Sequence, residues 1–281
     1  MPLVVNTNLG SLSAQRSLAT SGTELKTAME RLSSGKKINT AADDAAGFAI
    51  AERMTAQIRG LNMATKNAND GLAMLAVIEN ATNDVTDMLQ RMRELAVQAA
   101  NDTNGSTDRS FLQEEVNSLI SEVNRVANQT VYNNKVVLDG SLNGSIQVGT
   151  EAGQNVDFSI DSIKTNDLGY TDNDGSFNSI SSISLNSASE ASDALSTITA
   201  AIEQVASDRA SYGALQNRLE YTVSNLMNVA EFTTSARSRI EDADFAAESA
   251  RLAKAQVLQQ TGTAMLAQAN QAPQLVLQLI R

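Results

Sequence analysis

The sequence predicts a mainly α protein: an elongated antiparallel helical rod or coiled coil that carries a small β-hairpin region. Three observations predict it. Apolar residues recur at steps of three, four and seven over two long stretches. Hydrophobic residues make up 42% of the chain but aromatics only 4%, and just two prolines occur in 281 residues. A core poor in Phe, Trp and Tyr but rich in Ala, Leu, Val and Ile suits helix–helix seams, and few prolines leave long helices unbroken.

The first helix spans about Leu12 to Leu32, with Leu18, Leu25, Met29 and Leu32 in phase. Ser33-Ser34-Gly35 ends it, Gly35 being suited to a left-handed cap. After the connector Lys36-Lys37-Ile38-Asn39, Thr40 and Asp43 fit a capping box. Asp43 and Asp44 also put negative charge at the positive end of the next helix dipole, which explains the acidic pair better than a metal site does.

That next helix, from about Asp44 to Ala100, organises the chain. Met54, Ile58, Leu61, Ala68, Leu72, Leu75, Ile78, Val85, Leu89, Met92 and Ala99 keep one phase. Asn69-Asp70-Gly71 alone would read as a turn, but a break would reset the phase, and one Gly costs a helix only about 1 kcal/mol. At 1.5 Å per residue the helix would run roughly 85 Å. A turn around Gly105 leads to a third helix, about Asp108 to Gln129, folded back antiparallel.

The period then shortens to two. Val131-Tyr132 and Val136-Val137-Leu138 read as short strands, and Ile146 and Val148 pair with Val156, Phe158 and Ile160 as a hairpin around Gly153-Gln154-Asn155. Residues 161–187, rich in Ser, Asn, Asp and Gly, read as an exposed loop. Within it Asp172-Asn173-Asp174-Gly175 reads as an Asx turn, because the Gly comes two positions early for a calcium loop and no distal Glu follows. Ser187 and Glu190 form a capping box before a second long helix with Leu195, Ile198, Ile202, Val205, Tyr212, Leu215, Leu219, Val223, Leu226 and Ala230. An Ala-rich final helix carries Ala255, Leu258, Gly262, Met265 and Ala269.

Composition removes whole classes of chemistry. Without His or Cys there are no usual zinc ligands, no Ser-His-Asp or Cys-His nucleophile and no disulfide. No catalytic residue, metal or cofactor is therefore expected, and the chain is not expected to be an enzyme. A net charge of -11 argues against nucleic acid as a partner. From Asp139 to Asp193 nine acidic residues face one base, Lys164, marking that region as solvent-facing. No apolar run approaches the roughly 20 residues of a membrane span. The first ten residues lack the pattern of a cleavable signal, so an exported chain would leave by another route.

The order of elements is nearly mirror-symmetric, which brings the two ends together. Their seams are largely Ala, and a buried methyl group contributes only about 0.8 kcal/mol, against roughly 1–2 kcal/mol to order each backbone residue. The terminal helices should become rigid only when several neighbours bury them.

Particular strings now resemble bacterial flagellin. They include Asn6-Thr7-Asn8, Met29-Glu30-Arg31-Leu32-Ser33-Ser34-Gly35, Asp43-Asp44-Ala45-Ala46-Gly47 and Leu89-Gln90-Arg91-Met92-Arg93-Glu94-Leu95-Ala96-Val97-Gln98. Gly213-Ala214-Leu215-Gln216-Asn217-Arg218 and Ala236-Arg237-Ser238-Arg239-Ile240-Glu241-Asp242-Ala243-Asp244-Phe245 extend the match toward the C-terminus. The resemblance covers roughly residues 3–140 and 195–281. It implies a subunit that polymerises into the extracellular helical filament of the bacterial flagellum. An inner coiled-coil layer would be formed by residues 1–44 and 238–281, with Leu18, Leu25, Met29, Leu32, Leu258 and Met265 in its seam. A second layer would be formed by residues 45–237, without large outer domains. The family is exported unfolded through the flagellar secretion channel. Implied partners are further copies of itself, an export chaperone and the secretion apparatus, the filament-cap and hook-junction proteins, and the vertebrate flagellin receptor. Arg91, Leu95, Gln98 and Glu115 correspond to the family's subunit or receptor contacts. A hook–filament junction protein and a secreted coiled-coil adhesin or effector are the alternatives; the unbroken Gln90–Gln98 string favours the filament subunit.

Overall fold

A computed structural model describes residues 7–172 and 175–279, with side chains to Gln271. The expected Asx turn falls partly outside these residues, at Asn173 and Asp174. In order the elements are α1 (Leu9–Ser34), α2 (Ala45–Ala99), α3 (Ser106–Gln129), β1 (Val131–Tyr132), β2 (Lys135–Val136), β3 (Asn143–Gln147), β4 (Asn155–Ser159), β5 (Gly169–Thr171), β6 (Phe177–Ser179), a 3-10 turn (Ile180–Ser182), α4 (Ala188–Glu241) and α5 (Phe245–Leu279). Packing divides the chain into two units. A central unit spans Arg59–Ala230, and a terminal unit combines the residues up to Ile58 with those from Glu231 onward. The divisions therefore lie inside α2 and α4.

In the terminal unit α1 and α5 run antiparallel. Asn8 Nδ2 donates to Ala269 O at 2.7 Å, and Arg31 meets Glu248 at 3.1 Å. Gly35 (φ 71°) caps α1 in the left-handed conformation, its N–H donating to Arg31 O. The chain then forms a single antiparallel β-bridge between Lys36 and Asp242. The start of α2 differs from the expected capping box. Asp43 Oδ2 accepts from the Asn39 and Thr40 amides in the connector, which hold its carboxyl below the usual range. Asp44 is the residue that caps the helix, accepting from the Gly47 N–H at 2.9 Å.

In the central unit one face of α2 is buried in unbroken steps of three and four: Leu61, Ala64, Ala68, Gly71, Leu75, Ile78, Thr82, Val85, Leu89, Met92, Ala96 and Ala99. α4 runs antiparallel to it, with Gly71 against Leu219 and Glu79 paired with Arg209. α3 is antiparallel to α2 on its other side. The two helical glycines serve the β3–β4 hairpin. A Cβ at Gly71 would lie 2.5 Å from Ile146 Cδ1, and one at Gly60 would lie 2.7 Å from Thr150 Cγ2. The hairpin approaches α2 where no side chain stands, and Asn67 Nδ2 donates to Gln147 O at 3.1 Å between those two points. β3 and β4 pair antiparallel with Ile146 opposite Val156. β1 and β2 are joined through Asn133 and Asn134, both at positive φ, as a two-residue hairpin requires.

Residues 161–187 are not the exposed loop that their composition predicts. Ile163, Leu168, Ile180 and Leu185 are each 0% exposed, and β5 pairs with β6 in antiparallel register. Asn124 on α3 holds Thr165 from both ends of its amide, and Gln113 Oε1 accepts from the Leu185 N–H. Four apolar anchors without helical or strand period pin this segment into the core, while residues such as Asn166, Thr171 and Phe177 between them stay exposed.

Candidate assembly surface

Arg91 flanks the buried row of α2, with half of its side chain exposed. Its Nη2 lies 2.8 Å from Glu115 Oε1 on α3, and its Nη1 lies 2.9 Å from Glu94 Oε2 one turn along α2. These two carboxylates stabilise the guanidinium charge and raise its pKa. Leu95, by contrast, is 1% exposed and belongs to the core. Gln98 has an exposed side chain, while its carbonyl accepts from the Asn104 amide. The structure thus gathers Arg91, Glu94 and Glu115 on one polar face, with Leu95 beneath as support. Exposed Val97 and Phe111 lie on the same two helices.

Arg109 was not among the expected site residues. Its Nε donates to Ala99 O at 2.9 Å and its Nη2 to Asn101 O. It therefore closes the α2 C-terminus, where unpaired carbonyls and negative dipole favour a cation, and holds the 101–105 turn. Asp108 reaches back to the Gly105 amide at the start of α3.

The α1–α5 seam differs from the expected one. On α1 the row of low exposure is Ser11, Ala14, Leu18, Ser21, Leu25, Ala28 and Leu32; on α5 it is Glu248, Leu252, Ala255, Gln259, Gly262, Leu266 and Ala269. Both follow heptad spacing. Leu18, Leu25 and Leu32 are in the row but half-buried, whereas Met29, Leu258 and Met265 are 50%, 40% and 63% exposed. Small residues let the helices approach, as where a Cβ on Gly262 would come within 3.0 Å of Leu18 Cδ1. The larger apolar residues flank that narrow contact and face outward. One carboxylate sits in the seam: Glu248 is 5% exposed and is held by Arg31 at 3.1 Å and Arg251 at 3.0 Å. Arg31 and Glu248 lie too far apart in sequence for spacing to reveal the pair.

Among the described residues no group of three or more His, Cys, Asp or Glu could hold a metal ion, and no helix is long and apolar enough to cross a membrane. What the chain offers is helical surface for protein contact, with small-residue seams and outward apolar side chains.

Comparison with known proteins agrees with that class. Residues 5–143 match the bacterial flagellin N-terminal helical region, and residues 195–280 match the bacterial flagellin C-terminal helical region. The chain is 39% identical over 280 residues to the flagellin of Halalkalibacterium halodurans, covering 99% of this chain and 100% of that protein. It is 39% identical over 290 residues to the flagellar filament 33 kDa core protein of Treponema phagedenis, covering 99% and 100%. A putative flagellar hook-associated protein from Vibrio parahaemolyticus shares the fold at a TM-score of 0.60 with 14% identity, over 71% of this chain and 100% of that one. These findings define a structural, filament-building class of helical protein. The chain belongs to the bacterial flagellin family and is a subunit of the flagellar filament.

Proposed function

We propose that the terminal helices become rigid as copies of this chain stack, so that assembly and final folding are one event. The observation that carries this reading is the α1–α5 seam. Its buried members are Ser11, Ser21, Ala28, Ala255 and Glu248, while Leu12, Met29, Val257 and Met265 face outward with half or more of their surface exposed. Such a pair buries little by itself and leaves apolar side chains for neighbouring copies to cover. Residues 1–44 with 238–281 would form the inner layer and residues 45–237 the second. Contacts between unlike faces then propagate without closing, as a helical polymer requires. Arg91, Gln98 and Glu115 would act at subunit contacts in the second layer, with Leu95 supporting them. A host receptor that met the monomer would read the same face.

The filament is extracellular, and the chain would reach it unfolded through the flagellar secretion channel with an export chaperone on its C-terminal segment. Filament-cap and hook-junction proteins would bound the polymer at its two ends. The test is seeded polymerisation of purified chain lacking residues 1–40 or 245–281. Each truncation is expected to stay soluble, keep the helicity of the central unit and fail to elongate seeds. Normal filaments from either truncation would overturn the reading.

A further inference from the structure

The inner face of α4 runs through Ala191, Ala194, Ile198, Ala201, Val205, Asp208, Tyr212, Leu215 and Leu219 in steps of three and four, all buried except the partly covered Asp208 and Leu215. One position in this apolar row is a carboxylate. Asp208 Oδ2 is buried without a hydrogen-bond partner, and so is the phenol oxygen of Tyr212 one turn on. The Tyr212 residue is 3% exposed. Asp161, two residues past β4 and itself solvent-exposed, lies near enough that its negative charge disfavours ionising either group. Its amide approaches the Tyr212 oxygen but falls outside hydrogen-bond geometry.

No neutralising cation is turned to this cluster among the described neighbours. Arg209, the next residue, points to α2, where Nη2 lies 2.6 Å from Glu79 Oε1. Lys164 reaches the Asp139 carbonyl at 3.5 Å, and the Asp167 carboxylate accepts from Ser162 Oγ. A buried polar atom without a partner is costly, and a buried charge more so.

We propose that Asp208, Tyr212 and Asp161 form a proton-operated latch between α4 and the segment after β4. A proton on Asp208 removes the charge from the seam and relieves its repulsion with Asp161. Loss of that proton weakens the junction. Burial first, then Asp161, push the Asp208 carboxyl from 3.8 up to about 6. Because the folded-state value lies above that of an unfolded Asp, the folded chain holds the extra proton between the two values. The latch is therefore strongest in acid, loses stability as pH rises through that window and is flat above it. This is a property of the single chain, separate from polymerisation, so either reading can fail without the other.

The test uses full-length chain as a dilute monomer. The carboxyl-carbon resonance of Asp208 should titrate near pH 6. After correction for intrinsic rates, amide exchange over residues 205–212 should show about threefold fewer openings at pH 5 than at pH 7.5, the full shift's roughly tenfold effect being discounted because Asp208 is partly exposed. Asp208→Asn should abolish that dependence and give, at pH 7.5, the protection the parent chain shows at pH 5. Tyr212→Phe should keep the dependence. Titration of Asp208 near pH 4, or Asp208→Asn that retains the parent's pH profile, would overturn the latch. Should Asp208→Asn fail to fold, the parent titration alone decides.

Discussion

The terminal helices and the central helices follow the same three–four spacing, yet they fill it differently. Along α2 in the central unit half of the row is Leu, Ile, Val and Met, with Leu75, Ile78, Val85, Leu89 and Met92 at 0% exposure and Leu95 beside them at 1%. Along α1 and α5 the buried positions are Ser, Ala and one carboxylate, with leucines only half covered. Spacing sets which face is buried; side-chain volume sets how much that burial stabilises. The first seam can hold a monomer together, whereas the second specifies a partner and a register but depends on further copies. Its buried Glu248, flanked by two arginines, fits that division of labour, because a buried ion pair selects an alignment more than it adds stability.

Truncating a leucine in each seam tests the contrast most severely. Leu89→Ala should destabilise the monomer by about 3–5 kcal/mol, read as a lower denaturant midpoint, since it leaves a cavity at a fully buried site. Leu25→Ala should leave the monomer midpoint within about 0.5 kcal/mol while raising the concentration needed for seeded growth. Equal losses in the monomer would erase the distinction.

The central unit also contains the segment that looked like loop. A Cβ at Gly169, at φ +155°, would lie 1.9 Å from Asn178 O. Gly169→Ala should therefore break the β5–β6 pairing and cost about 1–3 kcal/mol of monomer stability, whereas a true exposed loop would absorb it unchanged. Glu248→Gln should lower the thermal disassembly midpoint of filaments by a shift worth about 1–3 kcal/mol per subunit, with the monomer transition unmoved. The smallest effect on folding belongs to Arg91→Ala. Its ion pairs are solvent-exposed, so monomer unfolding should not change, while seed elongation should slow. A lost monomer transition would make Arg91 a folding residue rather than a contact residue.

How much of this was legible follows from the same comparison. The α2 and α4 phases were readable because large apolar residues mark them, and the β3–β4 hairpin because Ile146, Val156 and Phe158 alternate. The α1–α5 seam was half readable: Leu18, Leu25, Leu32, Ala255, Gly262 and Ala269 were in phase, but hydropathy added Met29, Leu258 and Met265 where Ala28, Gln259 and Leu266 are the better covered residues. Residues 161–187 misled because Ile163, Leu168, Ile180 and Leu185 follow no period and their anchors, Gln113 and Asn124, lie on another element. Gly71 was read as tolerated in a helix; its reason, the approach of Ile146, is a long-range one, as is that of Gly60 beside Thr150. Arg91 and Glu115 were singled out by resemblance, and only the fold shows that they bridge α2 and α3. Asp208 was passed over because a carboxylate in an apolar row reads as a gap.

The central claim is that the terminal pair lacks the burial to be rigid in one copy. Amide exchange by mass spectrometry on the full chain, first as a dilute monomer and then after seeded assembly, tests it most directly. The account predicts that α1 and α5 exchange rapidly in the monomer and slowly in the filament, while residues 61–99 of α2 are slow in both. Monomeric α1 and α5 as well protected as α2 would contradict it.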